Sequence, residues 1–252
     1  MLLTRVIPCL LLKGEALVKG IQFKNHRYVG DPLNAVHIFN AMEVDELILL
    51  DVGATSEKRK PNFKLIENIA GECFMPLAYG GGVWELDDVR KIFEIGVEKV
   101  VINSYAFENP EFIREAAKKF GSQSLIVSID VKKNARGKYE VFVLSGKRGT
   151  GTDPVSYAQK MESMGAGEIL LSSIDRDGTW KGYDTSLIRH VAEAVKIPVV
   201  ACGGAGKMED FSQAVKNGAS AVAAGSLFVY QGKNRGVLIN FPTKMELQGI
   251  QS

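Results

Sequence analysis

Two stretches far apart in this chain are nearly the same: Pro76-Leu-Ala-Tyr-Gly-Gly-Gly82 and Pro198-Val-Val-Ala-Cys-Gly-Gly204. Their offset is 198 − 76 = 122 residues, and it returns between Gly96-Val-Glu-Lys-Val-Val-Ile-Asn-Ser104 and Gly218-Ala-Ser-Ala-Val-Ala-Ala-Gly-Ser226. Asp31-Pro32 likewise recurs as Asp153-Pro154, and Glu46-Leu-Ile-Leu-Leu50 as Glu168-Ile-Leu-Leu-Ser172. A duplication of this length divides the 252 residues into two halves of four short apolar runs each. Four strands alone would leave unpaired edges, whereas two such halves can close on each other as one barrel.

The eight runs are Arg5 to Leu12, Glu46 to Asp51, Pro76 to Tyr79, Lys99 to Ile102, Leu125 to Val131, Ile169 to Ser173, Pro198 to Ala201 and Ala221 to Ala224. Longer amphipathic stretches separate them, the pattern of repeated βα units around a parallel sheet. The fold expected is therefore α/β, a single (β/α)8 TIM barrel over residues 1–252, with no linker composition between the halves. Prolines in Asp31-Pro32, Lys60-Pro61, Asn109-Pro110 and Asp153-Pro154 mark helix starts, and Gly71, Gly96, Gly121, Gly165 and Gly218 mark left-handed helix ends. Residues Lys132 to Val143 alternate around a turn, which predicts a β-hairpin after the fifth strand. After Ser226 the chain carries glycines and Pro242 where a long closing helix would run, so the last helix should be short.

Bulk properties exclude several classes. Thirty-one basic and 29 acidic residues are scattered, which argues against a nucleic-acid surface. Arg5 interrupts the apolar start and no small-residue cleavage site follows, so residues 1–13 read as a buried strand rather than a signal sequence, with no membrane role. Cys9, Cys73 and Cys202 lack metal-ligand or redox spacing; no metal or cofactor is expected, and reduced thiols point to the cytoplasm.

In such a barrel chemistry lies at the C-terminal ends of the strands. Gly81, Gly82, Asn103 and Ser104 fall there, and so do their repeats Gly203, Gly204, Gly225 and Ser226. Two glycine turns facing one mouth would suit a ligand with a phosphate at each end, held by backbone N–H groups and hydroxyls. A plainer reading is tight βα turns. Asp51, Asp130, Asp175 and Asp177 are acid/base candidates, and Asp130 is the best placed because it ends an otherwise apolar run. Asp177 and Gly178 could add to the second phosphate site or simply form a turn. At the opposite ends of the strands, Arg5, Glu46, Lys99 and Glu168 could converge as an ion-paired plug or as a gate.

These motifs resemble, over nearly the whole chain, the cyclase subunit (HisF type) of imidazole glycerol phosphate synthase. The matching stretches are Asp45-Glu-Leu-Ile-Leu-Leu-Asp51, Tyr79-Gly-Gly-Gly82, Lys99-Val-Val-Ile-Asn-Ser104, Phe120-Gly-Ser-Gln123, Gly165-Ala-Gly-Glu-Ile-Leu-Leu171, Ser173-Ile-Asp-Arg-Asp-Gly-Thr179 and Gly203-Gly-Ala-Gly-Lys207. The resemblance implies a heterodimer with a class I glutaminase, whose ammonia passes a gate of Arg5, Glu46, Lys99 and Glu168. It implies a bis-phosphorylated ribulosyl aminoimidazole as ligand, and two aspartates, ending strands one and five, as acid and base. Asp130 matches the second, but Leu11 stands where the family has the first. Pro8-Cys-Leu-Leu-Leu-Lys13 and Val237-Leu-Ile-Asn-Phe-Pro242 look like a paralogous branch that serves surface-polysaccharide synthesis. That branch implies ammonia delivery to a third enzyme, which amidates a nucleotide-linked sugar. Two other readings stay open: an authentic cyclase of histidine biosynthesis, and a non-catalytic phosphate-binding activator of the glutaminase.

Overall fold

The computed structural model of the protein describes residues 4–250. Eight strands form its centre: β1 (Arg5–Lys13), β2 (Leu47–Asp51), β3 (Leu77–Gly80), β4 (Lys99–Ile102), β5 (Leu125–Lys133), β6 (Glu168–Ser173), β7 (Val199–Cys202) and β8 (Ala221–Ala224). Each pairs in parallel with the next, and β8 returns to β1, so the ring is closed and no barrel edge is left open. The chain is a (β/α)8 TIM barrel.

Side-chain alternation along the strands builds two cores. Inward residues such as Ile7, Ile48, Ile126, Leu170 and Val200 pack on one another inside the barrel, while Val6, Leu49, Val127 and Leu171 point outward beneath the helices. The duplication is preserved in three dimensions: α1 (Pro32–Ala41) and its counterpart Pro154–Ser163 share the offset of 154 − 32 = 122. Their caps match too, for Asp31 accepts the Asn34 N–H and Asp153 the Ser156 N–H, both at 3.0 Å.

Two local expectations are corrected. The second helix starts at Phe63 rather than at Pro61, because Asn62 supplies the side-chain oxygen that caps Leu65 N–H and proline has none. Gly71 lies inside that helix, which runs to Glu72 and ends at an extended Cys73, so no left-handed residue is needed there. Gly96, Gly121, Gly165 and Gly218 do have positive φ, between +90° and +103°.

β5 continues past the barrel rim and pairs antiparallel with Tyr139–Val143. A second extension has no counterpart in the sequence-based reading: after β1 the chain turns at Gly14, and strands Ala16–Ile21 and Lys24–Gly30 form an arm over the mouth. After β8 comes a helix of four residues, Ser226–Val229, followed by a small antiparallel pair, Tyr230–Gln231 with Gly236–Val237. Among the described residues no helix is long and apolar enough to cross a membrane.

Candidate active site at the barrel mouth and the charged floor

The inward positions stack in layers from one end of the barrel to the other. At the floor, Arg5, Lys99 and Glu168 at the starts of their strands and Glu46 just before β2 meet. Arg5 reaches Glu46 at 2.5 Å and also Glu168, while Lys99 lies 2.8 Å from Glu46 and 3.1 Å from Glu168. Each cation thus bridges both carboxylates, and the four charges close a neutral ring. Glu46 and Glu168 are buried; the carboxylates outweigh the burial that opposes the Arg5 charge and raise its pKa. Above the ring the barrel interior is apolar, packed by Ile7, Ile48, Val101, Ile126 and Leu170.

Above that layer the barrel opens into a cavity of about 550 Å³. Asp130 stands in its wall, 8% exposed. Ser128 Oγ donates to one carboxylate oxygen at 3.3 Å and Asn103 Nδ2 to the other at 3.2 Å. Burial is the main force on this carboxyl, aided by the negative charge of Asp177, and it outweighs the hydroxyl hydrogen bonds; the pKa is pushed up to about 7. A group so poised can give or accept a proton near neutral pH. Leu11 lines the same cavity and offers only hydrocarbon.

The arm after β1 contributes a residue that sequence reasoning missed. Lys19 is buried, and its Nζ lies 2.6 Å from Asp177 Oδ1. Burial works against its charge, but Asp177 prevails and the Lys19 pKa is raised. The signal was present in the alternation Ala16-Leu-Val-Lys-Gly-Ile21, a strand pattern that puts Lys19 on the buried side. Cys9 and Cys202 also face the cavity, and the neighbouring Cys202 together with burial pushes the Cys9 thiol pKa well up.

The sequence-predicted residues divide into two groups. Gly81, Gly82, Asn103, Ser104, Asp130, Asp177 and Gly225 line the cavity, whereas Gly178, Gly203, Gly204 and Ser226 do not. Gly81 and Gly82 have φ of +119° and +72°, and a Cβ on either would lie 2.4 Å from a backbone oxygen, so only glycine fits the turn. Ser104 Oγ donates to Asn103 Oδ1 and accepts the Leu144 N–H. Ser226 Oγ accepts the Trp180 indole N–H at 3.1 Å. Asp51 also lines the cavity, where it accepts the Gly53 and Ala54 N–H groups and pairs with Arg59, whereas Asp175 does not line it and accepts the Lys133 N–H. Among the described residues no group of three His, Cys, Asp or Glu side chains is placed to hold a metal.

Comparison with known proteins agrees with this architecture. The family described as "Histidine biosynthesis protein" matches residues 5–235. A Pseudomonas aeruginosa protein provisionally named imidazole glycerol phosphate synthase subunit hisF2 is 53% identical over 239 residues, covering 94% of this chain and 95% of its own. A Leptospira borgpetersenii protein, provisionally named subunit HisF of the same synthase, is 46% identical over 252 residues, 99% of each chain. A Vibrio vulnificus protein provisionally named subunit hisF3 is 45% identical over 248 residues, 98% of this chain and 95% of its own. With the match spanning the whole barrel and full-length relatives at about half identity, the chain belongs to the histidine biosynthesis protein family, among its HisF-type barrels.

Proposed function

We propose that this barrel is the ammonia-receiving subunit of a glutamine-dependent amidotransferase. A class I glutaminase docks on the floor, ammonia passes the ring of Arg5, Glu46, Lys99 and Glu168, and it leaves at the mouth. A third enzyme then uses it to amidate a nucleotide-linked sugar for surface polysaccharide. The barrel's own cyclase reaction is lost. The observation that carries this reading is Leu11 in the wall of the same cavity as Asp130, while the four floor charges are all kept. Removing one member of an acid/base pair costs on the order of 10² to 10⁴ in rate, whereas conduction of a small neutral molecule needs no carboxylate at the mouth. Gly81, Gly82, Asn103 and Ser104 supply the phosphate anchor in this reading, beside the cavity-lining Lys58.

The decisive experiment assays the purified barrel, with ammonium salt, for turnover of the bis-phosphorylated ribulosyl aminoimidazole. Turnover below that of an authentic cyclase by about 10²-fold or more is expected. Comparable turnover would sink the proposal and favour the alternative, an authentic cyclase in which Asp130 or another carboxylate serves both proton roles. One observation favours that alternative: the raised Asp130 pKa, about 7, suits a group that both donates and accepts.

Partner docking is supported by an apolar spot at the floor end. Phe74, in the loop before β3, is 85% exposed, and Asn40 clips that loop to the end of α1 by accepting the Phe74 N–H and donating to Glu72 O. Met42, which caps the end of α1, is exposed as well. Exposed aromatic anchors of this kind dominate interfaces. Phe74→Glu should leave the thermal melt of the isolated barrel unchanged and weaken glutaminase binding by about tenfold or more, measured by titration calorimetry. Unchanged affinity would place the partner elsewhere.

A further inference from the structure

Positions 122 residues apart occupy the same place in the two halves, and one such pair differs in a way that bears on the ligand. The pair is Lys58 and Trp180, since 180 − 58 = 122. Both residues are held in the left-handed region, with φ of +54° and +61°. Each sits in a loop that folds over its own glycine turn. A Cβ on Gly82 would meet Arg59 O at 2.4 Å, and one on Gly204 would meet Gly182 O at 2.3 Å. The glycine turns keep the duplication, for a Cβ on Gly81 would meet Asp51 O at 2.4 Å and one on Gly203 would meet Ser173 O at 2.8 Å, partners again 122 residues apart, while the loop side chains differ.

Lys58 is exposed and lines the cavity next to Gly81 and Gly82. Trp180 is half-buried and tied in place on several sides. Its indole N–H donates to Ser226 Oγ at 3.1 Å, the Arg235 guanidinium lies 4.5 Å from its ring centre, and Gly206 packs so closely that a Cβ there would meet Trp180 O at 2.5 Å. The loop is fixed to the glycine turn as well, through Gly182 N–H to Gly204 O at 3.0 Å. An aromatic residue at positive φ persists only where its surroundings hold it.

The cavity records the result. It reaches Gly81, Gly82, Asn103 and Ser104 in the first half, but of their repeats only Gly225, and not Gly203, Gly204 or Ser226. We infer that Trp180 fills the place an anion would take at the second glycine turn, so the mouth holds a ligand by one phosphate and gains nothing from a second. The inference rests on the reading of the first glycine turn as a phosphate anchor. A second phosphate would have to displace the indole from Ser226 or lie unpaired against an apolar ring, and a dianion without partners is strongly disfavoured.

Ribulose 5-phosphate and ribulose 1,5-bisphosphate serve as probes, titrated by calorimetry into the full-length wild type, Trp180→Gly and Trp180→Ala. Glycine suits the φ of +61°, and far-UV circular dichroism with a thermal melt verifies that each variant is folded. The wild type is expected to bind the two sugars within about threefold of each other. Trp180→Gly should gain about tenfold or more for the bisphosphate, with the monophosphate unchanged, because one recovered set of charge-assisted hydrogen bonds has that effect. A wild type that prefers the bisphosphate by tenfold or more overturns the inference and leaves the phosphate reading standing. No gain for the bisphosphate in either folded variant overturns the role of Trp180. If neither sugar binds any of the proteins, the phosphate reading fails and takes this inference with it.

Discussion

Asparagine in place of Asp130 should stabilise the folded barrel at pH 8 by up to about 4 kcal/mol and change it little at pH 3. The sign follows from where the proton sits. In the folded barrel burial holds the carboxyl protonated up to about pH 7, while the unfolded chain releases that proton near the ordinary aspartate value of 3.8. Between those values the native state binds more protons than the unfolded one, so wild-type stability falls as pH rises through the window, and the penalty is complete above pH 7. Asparagine does not titrate, so the difference between variant and wild type should climb from near zero to a plateau. Its amide must still satisfy Asn103 and Ser128, and an imperfect match would trim the gain by about 1 kcal/mol. Urea denaturation at intervals from pH 3 to pH 8 measures the curve. A flat difference would mean that Asp130 is ionised and well solvated in the native state. The same substitution should abolish any proton transfer at the mouth, which sets a stability gain against a functional loss.

Much of this could be seen in the sequence because duplication doubled every signal. Asp31 and Asp153 cap equivalent helices, and the glycine turns at Gly81 and Gly203 both need positive φ, so each motif confirmed its repeat. The floor ring was equally legible: a charge placed first in an inward-facing strand has nowhere to go but toward the other strands' first residues. What escaped was the arm from Ala16 to Gly30. Its strands lie 122 residues before the segments that hold Tyr139–Val143 and Arg148–Gly149 in the second half, but their register is irregular, with shifts beside Val18 and Ile21. The buried pair of Lys19 with Asp177 joins residues 158 apart, which no local pattern reveals. The asymmetry of the two glycine turns was hidden for the opposite reason. Their sequences agree, and the difference lies in a loop residue, Trp180, whose indole reaches Ser226 only once the barrel has closed.

The second large effect is expected at the floor, where a plug and a gate make the same contacts but not the same predictions. Glu168→Ala would leave Arg5 and Lys99 sharing Glu46 alone, two cations on one carboxylate. Breaking a fully buried ion pair costs about 3–5 kcal/mol. Here the Arg5 and Lys99 side chains are 33% and 22% exposed, so water screens part of the imbalance and a loss of about 2–3 kcal/mol is expected. Removing all four charges together, as Arg5→Met, Glu46→Leu, Lys99→Met and Glu168→Leu, should instead be neutral or stabilising, because a buried ion-pair ring gains little over apolar packing once its desolvation is counted. Paired urea denaturation curves measure both, and a quadruple variant weaker than Glu168→Ala would overturn the account. The folded quadruple variant then separates the two roles. A mere plug is replaceable, so product formation driven by glutamine should survive. With a gate, the apolar floor should block glutamine-driven product while added ammonium salt, which enters at the mouth, still supports it. The retention of four charges where hydrocarbon would pack as well argues for the gate, since stability alone gives no reason to keep them.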